Sequence, residues 1–442
     1  MSTATKPTLH IVHCIDTEGP LTEDIDATFQ RINAMFALNL AASADNLRLL
    51  QQQKIPLQGM EADVARVVAP ALLSYNNSWQ EIEAMLSEAM ASEFRNKMTD
   101  DRGHGWVYSW HCMDHAGYSD NPRRKDLGYG NVFRFYKQKI AETHSTQDEI
   151  NWHFHPLSFT RNPLQCASSY VNSYDVLMQI LTRRLIDEGW YPVTNRPGFH
   201  TERPDSHAFL EQWIPYDYAN LFDTTDDGQR DVSGGRFGDW RRAGASWAGY
   251  HPHHDDYQAK GGCRRWIFRC LNVGTRFKTL GARHVEEAFL EARQKGSAIL
   301  AFSNHDYRDI RPDVHYVRDL LAHIKPSFPD VTMLLSGATQ AARAHTKQLE
   351  PRTTRPIKLS LRLKDGVLSV NVSDGELFGP QPMLAIKTRD GRYYHDNFDI
   401  QQPRQAYSYT FDHQTILPHA IEVIAVGAAG SDGSHCVERL VL

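Results

Sequence analysis

Two short pairs of residues carry the strongest chemical signal in the sequence: Asp16 with Glu18, and His153 with His155. Each pair has i, i+2 spacing. On a β-strand that spacing sends both side chains to one face, so each pair aims two polar groups at one point. The first pair closes the apolar run LHIVHCID (9–16) and the second closes EINWHFHP (149–156), so both sit at the ends of expected buried strands. Unpaired ionisable groups in such places cost several kcal/mol each. Two imidazoles and carboxylate oxygens relieve that cost by holding a divalent metal, zinc first, with Mn, Co or Ni as alternatives, and leave room for water. Taken singly, an HxH is more often two packed histidines and a DxE a turn; the combination is what points to a metal.

Two further groups stand at expected strand ends. Asn304-His305-Asp306 follows AILAFS and puts His305 at the rim of the core, as a general acid or another ligand. In Asn195-Arg196-Pro197-Gly198-Phe199-His200, Pro197 and Gly198 shape a tight loop. Arg196 can there orient a carboxylate, and nearby N–H groups can face an oxyanion.

These residues need a scaffold of buried strands. After strand 9–16, residues 22–100 carry helical spacing in four stretches, which predicts a helical insertion. Beyond it, strands expected at 105–115, 149–156, 216–223, 265–273, 298–306 and 332–337 alternate with helices at 132–142, 173–190, 285–296 and 314–325. That alternation predicts a parallel β/α barrel of about seven strands, with its polar groups at the C-terminal ends. The pattern changes after 345, and QLEPRTTRP reads as a linker. The tail holds six or seven short strands with two Asp-Gly hairpin signals, which predicts a β-sandwich. The expected division is thus 1–345 and 355–442.

At 442 residues, with 41% hydrophobic and 23% charged residues, the chain can bury large cores. A net charge of −5 argues against a nucleic-acid partner. No apolar run is long enough to span a bilayer, and no signal-peptide core follows Lys6, so a cytoplasmic location is expected. The six cysteines include no CxxC pair and are expected to be reduced and structural.

The segments IDTEG, HFHP, NRPGFH, GDW and FSNHD, in this order, resemble the motif series of the polysaccharide deacetylases, the NodB-homology or carbohydrate esterase family 4 group. The resemblance covers about residues 8–340, without the helical insertion or the tail. It implies a NodB-like distorted (β/α) barrel. It also implies that Asp16 is the catalytic base, Glu18 the metal-binding carboxylate, and His153 and His155 the metal histidines. Arg196 would hold the base, Trp240 would line the pocket, and His305 would be the general acid. The sequence has its carboxylates separated by Thr17, where the family has them adjacent, and its histidines two apart rather than four. It leaves open which of Asp16 and Glu18 is base and which is ligand.

The implied activity is metal-dependent N-deacetylation of a sugar or glycan precursor in bacterial surface-polysaccharide synthesis, such as O-antigen, lipopolysaccharide or capsule. Trp110 and His200 are expected beside Trp240 on the substrate, with Trp106, Tyr108 and Tyr118 as further stacking candidates. The basic runs NPRRKD (121–126) and GGCRRW (261–266) suit an anionic, nucleotide-linked or lipid-linked sugar as well as they suit a solvated surface. HPHHDDY (251–257) is dense enough for a site element. Other metallohydrolases of the amidohydrolase or phosphoesterase type, and an inactive carbohydrate-binding protein, are the competing classes. The oligomeric state stays open, a homo-oligomer included.

Overall fold

The computed structural model describes residues 6–164, 169–224, 238–351 and 355–442. Strand β1 (Thr8–Thr17) is buried from Leu9 onward, as an apolar run covered on both faces must be. Around it follow β2 (Ser109–Cys112), β3 (Glu149–Phe154), β4 (Thr194–Pro197) and β5 (Tyr216–Asn220). A hairpin of β6 (Pro252–His253) and β7 (Asp256–Lys260) precedes β8 (Trp266–Asn272) and β9 (Ser297–His305). Barrel neighbours pair in parallel, and β9 pairs back on β1 from Thr8↔Ser297 to Asp16↔His305. The result is a closed parallel barrel of seven strands.

A further parallel strand, β10 (Thr332–Leu335), does not enter the ring. It shares one edge of β1 with β2: β10 pairs with Thr8–Ile11 and β2 with Cys14–Thr17. This is why counting strands along the sequence does not settle the size of the barrel.

Helices α1 (Ile25–Phe36), α2 (Ala44–Gln51), α3 (Glu61–Val67), α4 (Trp79–Ala89) and α5 (Ser92–Arg95) lie between β1 and β2. The side chains of Asp24, Ser43 and Ser78 cap α1, α2 and α4 by accepting N–H bonds in the first turn. The expected insertion divides in two. Helices α1 to α3 bury Phe29, Ile32, Leu50 and Val64 in a small core of their own. Ile82 and Leu86 of α4 and Phe94 of α5 join the main core instead. Helices α6 (Asn131–Glu142), α7 (Tyr174–Arg183, continued by a π-turn at Arg184–Glu188), α8 (Pro204–Trp213), α9 (Ala282–Lys295) and α10 (Arg311–Ile324) follow before α11 (Ala338–Leu349).

The barrel interior holds Val12, Cys14, Tyr218, Phe268, Cys270, Ile299 and Ala301, in one cluster with Ala338, Ala341 and Ala342 of α11. Alanines let α11 approach closely and plug the N-terminal end of the barrel. Side chains of one parity thus fill the interior, and the C-terminal end is left for polar groups.

The C-terminal strands form two antiparallel four-stranded sheets. One has the order β11 (Lys358–Lys364), β12 (Val367–Asp374), β16 (Ala406–Thr410), β15 (Asp399–Gln402). The other has the order β14 (Tyr393–Asp396), β13 (Met383–Thr388), β17 (Ile421–Ala429), β18 (His435–Val441). Leu368, Val370 and Tyr407 of the first face Leu384, Ile386, Ile424 and Val426 of the second. The alternate residues Met383, Ala385, Val423 and Ala425 pack on Leu177, Leu181 and Leu185 of α7 and its π-turn. Burial on both faces explains the apolar stretches MLAI (383–386) of β13 and VIAV (423–426) of β17. Among the described residues, no helix is long and apolar enough to cross a membrane.

Candidate metal centre

Register and parity assemble the site. Asp16 is paired with His111 on one side and His305 on the other, and His153 is paired with Arg196. Asp16 has the interior parity of Val12 and Cys14, so it stands one layer above them, at the C-terminal mouth. His155 lies one residue beyond the end of β3, on the same side as His153.

Glu18, His153 and His155 each bring one ligand atom to a common point, all within 4.8 Å of one another. His153 Nδ1 donates to the Arg196 carbonyl at 2.6 Å, so its Nε2 presents a lone pair. His155 Nε2 lies 2.9 Å from that atom and 3.7 Å from Glu18 Oε1. Three donor atoms crowd one point with at most one proton between them, a demand that a cation meets. Burial draws His153 down to about 4 and His155 to about 3, so both rings are neutral and able to ligate at neutral pH. Two imidazoles and a carboxylate fit a divalent ion and leave a coordination position open.

The surrounding groups hold this arrangement in place. Burial pushes the Glu18 carboxyl upward, but Lys125 and the nearby histidines outweigh it and hold the group well below the usual carboxylate range. Lys125 Nζ sits 2.9 Å from Glu18 Oε2, and the Glu18 carbonyl is 2.7 Å from His115 Nε2. The Asp306 carboxylate accepts from Glu18 N at 2.8 Å, Gly19 N at 2.9 Å and the Tyr136 hydroxyl at 2.9 Å. Burial raises the Asp306 carboxyl to about 7, with those donors and Lys125 opposing it. Gly19 has φ +68, and a Cβ there would strike the Trp79 ring. A Cβ on Gly198 would clash with Cγ and Cδ2 of the His155 ring. Phe199 and His200 follow with φ of 54 and 49, two consecutive left-handed residues without glycine, of the kind that cluster at functional sites.

Asp16 is held beside the group. Arg196 Nε donates to Asp16 Oδ1 at 2.6 Å, and its Nη1 donates to the Tyr218 carbonyl at 3.2 Å. Burial opposes the Arg196 charge, but Asp16 restores it and lifts the guanidinium above its ordinary value. His305 Nε2 is 3.7 Å from Asp16 Oδ2 and 3.8 Å from Glu18 Oε1. Its side chain is 26% exposed to the cleft, so it is the accessible member of the set. Burial holds it down near 3 against the pull of Asp16 and Glu18.

The three expected substrate residues fare differently. His200 lines the cleft, but its Nε2 accepts from Arg196 Nη2 at 3.0 Å and its Nδ1 lies 3.2 Å from the Ala219 carbonyl. It therefore braces Arg196. Trp110 does not reach the cleft. Its parity is opposite to that of His111, so it points out of the barrel and packs on Tyr108 and Tyr136, with ring centroids 5.0 and 4.7 Å apart. Trp106 and Tyr108 are in the same core, and only Tyr118 of that aromatic group lines the cleft. Trp240 is also buried; its Nε1 donates to the His200 carbonyl at 2.9 Å, so it props the loop from behind.

The basic runs divide as well. Arg123 and Lys125 of NPRRKD line the cleft. In GGCRRW, Arg265 is fully buried between Glu202 and Asp217 at 2.8 and 2.9 Å, and Arg264 pairs with Glu211. HPHHDDY forms the β6–β7 hairpin, away from the cleft. Of the cysteines, Cys166 lies outside the described residues; the other five are free thiols. The contributions of Lys125, Tyr136 and the Asp306 carboxylate come from long-range contacts that spacing does not display. No protein-family model matches the chain, and no curated protein matches it.

Proposed function

We propose that the protein is a metal-dependent hydrolase that removes an acyl group, acetyl foremost, from the nitrogen of an N-acylated sugar or glycan precursor. The observation that carries this reading is the juxtaposition of Glu18, His153 and His155 with an Arg-held aspartate and an accessible histidine. Glu18, His153 and His155 would hold the ion, zinc first, with Mn, Co or Ni as alternatives. A divalent ion so bound lowers the pKa of water from about 15.7 toward 7 and polarises a carbonyl.

The remaining steps belong to the chain. Arg196 occupies Asp16 Oδ1, which leaves Oδ2 to take the proton of the attacking water. His305 Nε2, 3.7 Å from that oxygen, is placed to carry the proton to the departing amine. The resemblance to polysaccharide deacetylases supplies the sugar, and Tyr118, Phe199 and Phe277 along the cleft offer rings for a pyranose face. Surface-polysaccharide synthesis in the cytoplasm is the setting we propose.

The test is acetate release by zinc-loaded protein from a panel of N-acetylated sugars and sugar nucleotides. Release that falls about 10²–10⁴-fold in Asp16→Asn supports the reading. No release from any member by metal-loaded wild type overturns it and favours a binding protein.

A further inference from the structure

One wall of the cleft carries more positive charge than its acids neutralise. Glu23 is a single carboxylate shared by two guanidinium groups, Arg31 Nη2 at 2.7 Å and Arg123 Nε at 2.8 Å. Lys125 is committed to Glu18. Arg308, on the turn after β9, has no carboxylate within 4.0 Å among the described residues. Its Nε and Nη2 donate to the Leu72 carbonyl at 3.3 and 3.1 Å, which leaves Nη1 without an acceptor among the described residues. Arg31, Arg123, Lys125 and Arg308 line this wall, and the carboxylates paired with them within 4.0 Å among the described residues are Glu18 and Glu23, with Asp306 and Asp313 acting on Lys125 and Arg308 from farther off, in a chain whose net charge is −5.

The cations are also held in place. The Arg308 guanidinium lies over Tyr307 at 5.0 Å and Tyr75 at 5.4 Å, and Arg123 lies over the same two rings at 6.0 and 5.6 Å. Lys125 Nζ sits 4.5 Å from the centre of Tyr307. Aromatic faces steady a cation without neutralising it. At the mouth, Asp120 is exposed to solvent and Arg276 lines the same opening, so neither changes the balance of the wall.

We infer that Arg308 and Arg123, on the Tyr75–Tyr307 platform, form a subsite for an oxyanion carried by the substrate, a phosphate or a carboxylate. Guanidinium forks recognise both groups, and a cleft with uncompensated charge concentrates such ligands. Arg308 comes three residues after His305, and Leu72 comes from the connection after α3, so the satellite helices help to build the subsite. The inference rests on the proposed function only for the acylated sugar; the charge balance stands apart from it.

The test measures binding, on Asp16→Asn protein loaded with zinc so that turnover is slow on the timescale of the titration. Four probes are titrated calorimetrically: N-acetylglucosamine, its 1-phosphate, its uridine diphosphate conjugate, and the carboxylate-bearing N-acetylmuramic acid. At least one anionic probe should bind about tenfold or more tightly than the neutral sugar. That preference should shrink with added salt, disappear in Arg308→Gln and partly return in Arg308→Lys. The anion that gains most identifies its source. Equal binding or none for neutral and anionic probes, or a preference that survives Arg308→Gln in a protein of unchanged thermal midpoint, overturns the subsite. The hydrolase reading stands or falls separately, on acetate release by wild type.

Discussion

The two ends of the barrel use the same residue types to opposite effect. At the N-terminal end His10 Nδ1 meets Ser336 Oγ at 3.0 Å, and His345 bridges Ser297 Oγ and the Ala248 carbonyl, each at 2.7 Å. Glu149 there accepts from Thr339 N at 2.7 Å and Gln340 N at 3.0 Å, at the start of α11. At the C-terminal end, His153 and His155 turn ring nitrogens toward each other and toward Glu18. Buried histidines and carboxylates are therefore no mark of function by themselves. What separates the ends is geometry: at the floor the ring nitrogens of His10 and His345 meet hydroxyls and a carbonyl, whereas at the rim two imidazole nitrogens and a carboxylate oxygen converge on one point.

Substitutions that pair a rim residue with its floor counterpart should break this comparison most sharply. Asp16→Asn should lower acetate release by about 10²–10⁴-fold, whereas Glu149→Gln should leave turnover within a few-fold and act on thermal stability alone. A turnover loss of similar size in both would erase the distinction. Next in size, His155→Ala should remove bound metal, while His345→Ala should keep it and cost about 1–3 kcal/mol of unfolding free energy through its orphaned partners. Metal content and urea denaturation of the two proteins read this directly.

Asp306→Asn sharpens the picture further, because the Asp306 carboxylate touches no proposed ligand atom and gathers the N–H groups of Glu18 and Gly19 together with the Tyr136 hydroxyl. Metal affinity should fall about 10–100-fold with the fold intact; an unchanged affinity would show that the Glu18 turn needs no such anchor. The floor also predicts a pH response. Burial lowers His10 to about 3 and His345 to about 4, below the ordinary 6.5. The unfolded chain takes up these protons first as pH falls, so stability present above 6.5 should be lost progressively between 6.5 and about 3. Denaturation midpoints flat over that window would contradict it. Smallest of all, Trp110→Phe should leave acetate release within about twofold, since the ring packs outside the barrel.

Much of this was legible in the primary structure, because strands write their parity into it. The two i, i+2 pairs, the apolar run of β9 before His305 and the Asp-Gly hairpins of the tail all report local geometry. The Trp110 expectation failed on the same rule, one residue out of phase with His111. Other features are not local. Two strands sharing one edge of β1, the Lys125–Glu18 pair and the Asp306 anchor each join segments distant in sequence, and no spacing encodes them. Helix α11, rich in alanine, has too few large apolar residues to show a strong stripe, yet it plugs the barrel. Trp240 falls between: its motif lies near the site, but its indole faces away and supports the loop.

Metal content is the most direct measurement. Wild type and His153→Ala, purified without a metal-binding tag, would be subjected to elemental analysis as isolated and after titration with zinc, manganese, cobalt and nickel. About one divalent ion per chain in wild type, absent from the variant, is the predicted result. Wild-type protein that holds none, even after titration, would contradict the account at its centre.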